Sequence, residues 1–339
     1  MRAIVLHAPG DIRLEEQEVP RAGPGQVLVR VASVGVCGSD LPRMLTKGAW
    51  KMPLITGHEF AGHITELGDG VEGWEQGELV GVAPLLPCNK CSQCLTGNFS
   101  RCRDYDYFGS RRDGAYAEYV AVPVQNLIKT AQHADPRAIA MTDPASIALH
   151  AIWKGGGITA GQTGGVVGCG PIGLFVIQWM RMMGASEVIA VDVSEDKLEL
   201  AREAGASICV LATDFDQLQD KADLVVEAVG FEASINNAVT LAAPGGHVVF
   251  IGIPVPDVTL ANKTFQYLLR QEISLHGSWN SFGSPFPGPQ WTTTIEKFGT
   301  GELRWEFLIS HDLDLSELPE IFRRFAAKDL HFSKVLFRP

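Results

Sequence analysis

Four cysteines give the strongest chemical signal in the sequence, because they fall close together with the spacing C-x2-C-x2-C-x7-C. They are Cys88, Cys91, Cys94 and Cys102. Four thiolates at such spacing can surround one tetrahedral Zn2+ and leave no coordination position open, as in structural zinc sites. The spacing alone does not choose the metal, so an iron–sulfur cluster or unligated thiols are the alternatives. We predict a structural zinc that stabilises this polar loop.

A second group of metal-ligating residues combines Cys37 with the adjacent pair His58 and Glu59. Thiolate, imidazole and carboxylate suit zinc, and three protein ligands leave a fourth position for an alcohol oxygen. A lone cysteine or histidine is usually a packing residue, so the prediction depends on the group as a whole. The hydroxyl of Ser39 could accept the proton of a bound alcohol, and Asp40 could orient the zinc-bound histidine. A Ser-Asp pair also commonly forms a simple turn.

A third pattern predicts a dinucleotide site. A glycine-rich turn follows an apolar strand and opens a helix, and it consists of Gly168, Gly170, Pro171, Ile172 and Gly173. Its glycines allow pyrophosphate to approach the helix N-terminus closely. Asp192 ends the next strand, where its carboxylate would bind the adenosine ribose and repel a 2′-phosphate, so NAD is favoured over NADP. We assign Lys197, in the following helix, to the same cofactor.

The elements that must hold these groups change in character along the chain. Residues 1–142 alternate short apolar runs with turn residues, which predicts an irregular all-β domain for the zinc sites. Residues 143–278 alternate strands with helices, which predicts a doubly wound parallel sheet of the Rossmann type. Residues 279–339 begin with a Pro/Gly-rich loop and end in a strand, and we expect them to return to the first domain. The predicted fold class is therefore α/β with an additional β domain.

Composition excludes several classes of partner. The chain has 339 residues and a net charge of -11, and no run of Lys and Arg offers a surface to nucleic acid. No apolar run reaches the roughly 18 residues that cross a membrane, and the N-terminus predicts a strand instead of a signal peptide. Seven cysteines without an export signal favour metal binding or catalysis over disulfides. We expect a cytoplasmic protein that binds neither nucleic acid nor membrane.

These motifs, in this order from Met1 to Pro339, resemble the zinc-containing medium-chain alcohol dehydrogenases, whose zinc-binding domain is GroES-like. Within the family the chain is most similar to the sorbitol dehydrogenase branch and its galactitol-phosphate enzymes, on CGSDLPR (37–43), YDYFGSRRDGAYAEY (105–119) and PFPGPQW (285–291). The resemblance implies NAD-dependent oxidation of a secondary alcohol of a polyol or polyol phosphate to a ketone, with two zinc ions per subunit. It also implies a homodimer or homotetramer, in which we expect residues 285–291 to form a strand-rich contact.

The resemblance also implies roles for single residues. Cys37 and His58 would hold the catalytic zinc, with Ser39 on the proton path. Asp143 stands where the branch has a glutamate, one methylene longer, which makes Glu59 the stronger candidate for the remaining ligand. Asp143 would then bind through water, or a small backbone shift would restore direct contact. Lys334 would be an exposed contact to the cofactor pyrophosphate.

Substrate residues are expected at two places. Arg43 and Arg112 are candidates for a phosphate, because a guanidinium can bind it in a bidentate manner. Trp279 and Asn280 match the place where the branch contacts polyol hydroxyls. Alternative activities are those of free-polyol, butanediol and threonine dehydrogenases. A cofactor-binding relative without turnover is the alternative from another class, and the intact metal and proton-path residues argue against it.

Overall fold

The chain forms two units in this computed structural model, which describes residues 1–131, 133–254 and 257–339, except for the side chains of residues 216 and 217. One unit consists of Met1–Asp143 and Phe282–Pro339, and the other of Pro144–Ser281. The boundaries expected from the sequence fell after residues 142 and 278, so Asp143 lies in the first unit and residues 279–281 lie in the second. No helix in the described ranges is both long and apolar enough to cross a membrane.

The secondary structure follows the apolar patterns of the sequence. The strands of the described ranges are β1 (Arg2–Ala8), β2 (Asp11–Glu16), β3 (Gln26–Gly35), β4 (Leu54–Ile55), β5 (Glu59–Leu67), β6 (Leu79–Val82), β7 (Leu85–Leu86), β8 (Asp106–Tyr107), β9 (Tyr119–Pro123), β10 (Leu127–Lys129), β11 (Thr163–Val167), β12 (Glu187–Asp192), β13 (Ile208–Leu211), β14 (Ala222–Glu227), β15 (Ala242–Phe250), β16 (Ser274–Gly277), β17 (Ile309–Asp314) and β18 (Lys334–Arg338). The α-helices are α1 (Asp40–Pro42), α2 (Ser92–Leu95), α3 (Pro136–Ala140), α4 (Thr142–Lys154), α5 (Pro171–Met182), α6 (Glu195–Ala204), α7 (Glu232–Leu241), α8 (Asn262–Arg270), α9 (Pro289–Gly299) and α10 (Leu318–Ala327). A π-helical turn, Arg43–Lys47, extends α1.

The first unit is built on a mainly antiparallel sheet with the strand order β10-β6-β5-β3-β18-β17, and β9 also pairs with β3. Two smaller sheets have the orders β2-β1-β4 and β7-β8. Apolar residues such as Val29, Phe60 and Phe337 are buried in a common core. The last strand, β18, pairs antiparallel with β3 through Leu336 and Gly35. The chain's C-terminal part therefore completes the sheet that its N-terminal part begins.

The second unit is a parallel sheet with the order β13-β12-β11-β14-β15-β16. This order reverses between β11 and β14, which is where such sheets bind ligands outside their carboxyl ends. The glycine-rich turn follows β11 directly, and Asp192 ends β12. The predicted α/β fold class, with a parallel sheet and a separate β domain, is confirmed.

The segment 285–291 does not contain the strand that we expected. It is a loop that leads into α9 at Pro289. Trp291 is buried and stacks on Phe282 with ring centroids 5.4 Å apart. The segment's largest apolar side chain therefore packs within its own unit and is not available for a contact between subunits.

Candidate active site and metal centres

Strand pairing brings the predicted ligands Cys37, His58 and Glu59 together. The end of β3 pairs antiparallel with the start of β5, with Gly35 opposite Glu59. Cys37 follows β3 by two residues and His58 precedes β5, so the same register places both beside the Glu59 carboxylate. One ligand atom from each of the three lies within 4.8 Å of the others.

The donor set of this cluster fits zinc. Bonds of 2.0 to 2.3 Å in tetrahedral geometry separate neighbouring donor atoms by roughly 3.3 to 3.8 Å. The cluster, at 4.8 Å or less, needs only small side-chain movements to close on an ion of that size. Sulfur, nitrogen and oxygen donors together are also typical of zinc. We call the group of Cys37, His58 and Glu59 the mixed-ligand cluster.

Asp40 lies behind the imidazole of the mixed-ligand cluster. Its buried carboxylate has Oδ1 3.5 Å from His58 Nδ1, and Oδ2 accepts hydrogen bonds from the Cys37 backbone N–H at 3.1 Å and from the Tyr116 hydroxyl at 3.0 Å. Burial disfavours its ionisation, but His58 and then Arg43 outweigh burial and hold the pKa of Asp40 below its usual range. A carboxylate at Nδ1 leaves the imidazole Nε2 for a metal.

Ser39 and Asp143 border the cluster in different ways. The Ser39 hydroxyl donates to Cys37 Sγ at 3.3 Å, which places it beside a predicted zinc ligand. Asp143 is buried in the first turn of α4, and burial together with the Glu59 charge raises its pKa to about 7. Within the described ranges, Asp143 is not part of the group whose ligand atoms lie within 4.8 Å of one another. This geometry favours Glu59 over Asp143 as the third ligand.

Lys334 is not the exposed cation that the resemblance implied. It begins β18, is 1% exposed, and donates hydrogen bonds from Nζ to Glu59 Oε2 and, at 2.9 Å, to the Val36 carbonyl. A Cβ atom on Gly35 would lie 2.6 Å from Glu59 Oε2 and 2.9 Å from Lys334 Cε, so any larger residue here would displace the ends of both side chains of this ion pair. The buried ammonium neutralises Glu59 and is not open to a cofactor that enters from solvent.

The four cysteines of the loop form a second cluster, as their spacing predicted. One sulfur atom from each of Cys88, Cys91, Cys94 and Cys102 lies within 4.8 Å of the others. Cys94 Sγ is 3.9 Å from Cys88 Sγ and 3.6 Å from Cys91 Sγ. Tetrahedral zinc with Zn–S bonds of 2.3 Å separates sulfur atoms by about 3.8 Å. Backbone N–H groups, first that of Arg103, lower the pKa of Cys91 to about 6, whereas burial raises the pKa of Cys94 to about 12, so without a metal the cluster favours the thiolate at Cys91 and the thiol at Cys94.

The glycine-rich turn has the geometry of a phosphate site. Gly168 has φ +99°, and a Cβ atom on Gly173 would lie 1.9 Å from the Gly168 carbonyl oxygen. Helix α5 begins at Pro171 with Ile172 in its first turn, and no side chain caps its N-terminus. A Cβ atom on Gly170 would meet nothing within 4 Å, so the space beside this residue at the start of the helix is open. An anionic pyrophosphate fits this space.

Asp192 lies beside the same turn. Its Oδ2 accepts the Cys169 backbone N–H at 2.7 Å, and its Oδ1 accepts the Ser194 backbone N–H at 3.0 Å. Both bonds fix the carboxylate at the carboxyl end of β12, which is the position expected for a ribose contact. Lys197 lies half-buried in the first turns of α6.

The four substrate residues expected from the sequence lie in different settings: two are paired cations of the first unit, and two lie in a loop of the second unit. Arg43 is paired with the buried carboxylate of Asp40, and Arg112 Nε lies 3.1 Å from Asp106 Oδ2, so neither is an uncompensated cation. Trp279 and Asn280 belong to the second unit, in the loop that follows β16. Trp279 is 52% exposed and Asn280 has φ +52°.

Two further residues lie near these sites, and the sequence motifs predicted no role for either of them. The Tyr107 ring packs edge-on against the His58 ring with centroids 5.7 Å apart. Burial, with the charges of Asp143 and Cys37, raises the pKa of Tyr107 well above its usual value. The fully buried Glu227 ends β14 beside the glycine-rich turn, and its Oε1 accepts hydrogen bonds from Val229 N, Gly230 N and Ser234 Oγ at 2.7 to 2.9 Å. An acidic residue that ends an apolar strand, as in DLVVE, was the signal available for Glu227.

Comparison with known proteins agrees with both units. Residues 23–132 match the model of the alcohol dehydrogenase GroES-like domain, and residues 171–296 match that of the zinc-binding dehydrogenases. Galactitol 1-phosphate 5-dehydrogenase of Escherichia coli K12 is 34% identical, with all of both chains covered. The chain belongs to the zinc-binding alcohol dehydrogenase family. The chain is also 31% identical to the erythritol/L-threitol dehydrogenase of Mycolicibacterium smegmatis, and the match covers 94% of this chain and 92% of that relative.

Solved structures give the same result. The crystal structure of galactitol-1-phosphate dehydrogenase from Escherichia coli matches with a TM-score of 0.93 and covers all of both chains. A 28% identical dehydrogenase from Escherichia coli CFT073, solved with NADH, matches with a TM-score of 0.89 over 100% of this chain and 99% of that one. The predictions of an oxidoreductase, of the zinc-containing medium-chain family, and of zinc and NAD as cofactors are confirmed.

Proposed function

We propose that this dehydrogenase oxidises a secondary alcohol of a polyol phosphate, similar to galactitol 1-phosphate, to the ketone with NAD+. The observation that carries the proposal is the mixed-ligand cluster with Ser39 beside it, in a chain 34% identical over its full length to a galactitol 1-phosphate 5-dehydrogenase. The reaction converts one alcohol and NAD+ into one ketone, NADH and a proton.

In the proposed site the chain's own residues hold the reactants and move the proton. Cys37, His58 and Glu59 would hold the zinc, and Asp40 would fix the imidazole from Nδ1. When bound, zinc supplies a Lewis acid that lowers the pKa of the alcohol, and NAD+ accepts the hydride. The Ser39 hydroxyl, beside the cluster, accepts the alcohol proton and passes it outward. Asp143, buried at the border of the cluster, would contact the zinc through a water molecule.

The cofactor is proposed to bind the second unit by its glycine-rich turn. The uncapped N–H groups of α5 would bind its pyrophosphate, and the carboxylate of Asp192 would bind its adenosine ribose. Lys197, near the start of the next helix, adds a positive charge close to this anionic ligand. Trp279 and Asn280 are proposed to contact hydroxyl groups of the polyol.

Arg112 is the better of the two proposed phosphate ligands. Its partner Asp106 and Arg112 itself have side chains 41% and 36% exposed, and such a pair exchanges partners at little cost. The partner of Arg43 is fully buried and also orients His58, so removing Arg43 would disturb the zinc site itself. We expect Arg112→Ala to raise the KM of a phosphorylated hexitol and leave that of the free hexitol nearly unchanged.

A substrate panel tests the proposed function. NADH formation is compared for galactitol 1-phosphate, galactitol, sorbitol, 2,3-butanediol and L-threonine at equal concentrations. We expect the highest kcat/KM for the phosphorylated hexitol. If a free hexitol is oxidised as efficiently as its phosphate, the proposed phosphate contact is wrong and the enzyme is a general polyol dehydrogenase. Faster oxidation of butanediol or threonine, or no turnover of any alcohol by zinc-loaded protein, overturns the proposal.

We further propose that the enzyme is a cytoplasmic homodimer or homotetramer. All seven cysteines are free of disulfides, as suits a reducing compartment. Similarity to its family supports self-association. Light scattering coupled to size-exclusion chromatography tests the assembly, and a single species with the mass of one chain contradicts it.

A further inference from the structure

A phenol group lies against the mixed-ligand cluster without a role in holding the metal. Tyr107 is the last residue of β8, which pairs with β7 through Leu85 opposite Tyr107. This pairing turns the Tyr107 ring edge-on to the His58 ring, with centroids 5.7 Å apart. The side chain therefore forms part of the wall beside a proposed zinc ligand.

The surroundings of the Tyr107 hydroxyl are mostly negative. The charges that act on it most strongly are those of Asp143 and Cys37; the positive charge of Arg43 opposes them, and Glu59 acts in the same sense as Asp143. A hydroxyl among acceptor groups is oriented to donate its proton. Tyr107 forms no hydrogen bond through this hydroxyl with any residue in the described ranges. A half-buried phenol hydroxyl normally has a hydrogen-bond partner, and a bound substrate could be that partner for Tyr107.

We propose that Tyr107 determines specificity for polyols, by donating a hydrogen bond to the hydroxyl oxygen next to the reacting carbinol. The inference depends on the proposed function, because it takes a polyol as the substrate. A simple secondary alcohol has one oxygen, which would lie at the zinc site beside Ser39 and need no further partner. A polyol brings a neighbouring oxygen to the same place, where leaving a hydroxyl without a partner costs free energy. Tyr107 removes this cost for polyols alone.

The test is the substitution Tyr107→Phe, which removes the hydroxyl and keeps the ring. We expect kcat/KM for galactitol 1-phosphate to fall about 10- to 100-fold and that for 2-butanol to change less than about twofold. Tyr105→Phe is the matched control, because it removes a hydroxyl from the same stretch and its ring contacts both Tyr107 and Arg111. This control should leave both substrates unaffected.

A binding measurement gives a readout that does not depend on turnover. The quenching or enhancement of NADH fluorescence reports binding of galactitol to the enzyme–NADH complex, and we expect Tyr107→Phe to weaken it by the same factor as kcat/KM. Zinc content and Tm are measured in parallel and should be unchanged. An equal loss for galactitol 1-phosphate and 2-butanol, or a loss of zinc, would mean that Tyr107 shapes the metal site and would overturn the proposal. Unchanged galactitol binding would overturn it as well.

The wild-type enzyme separates failure of this inference from failure of the proposed function. A wild type that oxidises no hexitol and no hexitol phosphate contradicts the proposed function. A wild type that oxidises them, together with a Tyr107→Phe variant that keeps the wild-type ratio of polyol to 2-butanol, contradicts only the role of Tyr107.

Discussion

The two metal clusters of the first unit are assembled in opposite ways. The four-cysteine cluster takes every ligand from residues 88–102, a loop whose only regular elements in the described structure are the short helix α2 and a 3-10 turn. The mixed-ligand cluster takes its ligands from the ends of paired strands, and β18 adds Lys334 from the other end of the chain. A loop without a core depends on its metal for structure, whereas a sheet forms its site before the metal arrives. The same ion should therefore stabilise the fold at one cluster and serve reactivity at the other.

Matched cysteine substitutions give the largest expected difference between the clusters. Cys37→Ser should lower kcat/KM at least about 10,000-fold, because the Lewis acid is lost, while Tm stays near that of the wild type. Cys91→Ser should lower Tm by about 5 °C or more, because zinc binding contributes to the stability of the loop. Thermal unfolding and NADH formation are measured on both variants. Equal losses of Tm would contradict the division of roles.

The buried pair of Glu59 and Lys334 tests how the sheet prepares the mixed-ligand cluster. In protein whose mixed-ligand cluster holds no metal, Lys334→Met leaves the Glu59 carboxylate buried without a partner and should reduce the free energy of unfolding by about 3–5 kcal/mol. Lys297→Met is the control, because Lys297 forms a comparable pair with Glu302 at the surface and its loss should have little effect. Urea unfolding measures all three proteins. If both substitutions lower the free energy of unfolding equally, the buried pair does not contribute specially to the stability of the sheet that holds the mixed-ligand cluster.

Acid should destabilise the second unit through His150, on α4. Burial, helped by the charge of Lys154, lowers the pKa of His150 to about 4, whereas the unfolded chain has the ordinary histidine value. The unfolded state therefore binds more protons between these two values, and stability falls as pH is lowered through this range. Between pH 8 and pH 5 this residue should account for a loss of about 2 kcal/mol.

The variant His150→Gln isolates this contribution. Its urea-derived stability should fall less between pH 8 and pH 5 than that of the wild type, and His331→Gln, at an exposed position, should behave like the wild type. The same acid-induced loss in wild type and His150→Gln would show that other groups, including the zinc ligands, account for it.

The smallest expected effect concerns the cofactor. Asp192→Ala removes the carboxylate that repels a 2′-phosphate, so the preference of kcat/KM for NAD over NADP should narrow by about tenfold. Both cofactors are compared at a fixed polyol concentration. A wild type that used NADP as well as NAD would show that Asp192 does not set the choice.

The sequence predicted those sites whose residues are close together in the chain. The four-cysteine loop and the glycine-rich turn follow from spacing and from a neighbouring strand or helix. The pairing of Glu59 with Lys334 could not be predicted in this way, because 275 residues separate the partners and only the sheet order brings them together.

Contacts that form only on folding also explain why the arginines expected to bind phosphate are paired with carboxylates. Arg43 and Arg112 looked available in the sequence, but local folding pairs each with an aspartate within six residues of it. Tyr107 gave no signal of its own, since its position beside His58 depends on how β8 pairs with β7. The fold class was predictable because alternating strands and helices set it over long stretches of chain, and such patterns do not depend on single contacts.

The zinc content of four purified proteins shows which residues hold the catalytic ion. We expect two zinc ions per chain in the wild type, one in Cys37→Ser, close to one in Glu59→Ala, and two in Asp143→Ala, because Glu59 and not Asp143 completes the mixed-ligand cluster. Elemental analysis after exhaustive dialysis, with protein quantified by amino-acid analysis, gives these ratios. Two zinc ions in Glu59→Ala together with one in Asp143→Ala would contradict this ligand set and assign the third ligand to Asp143.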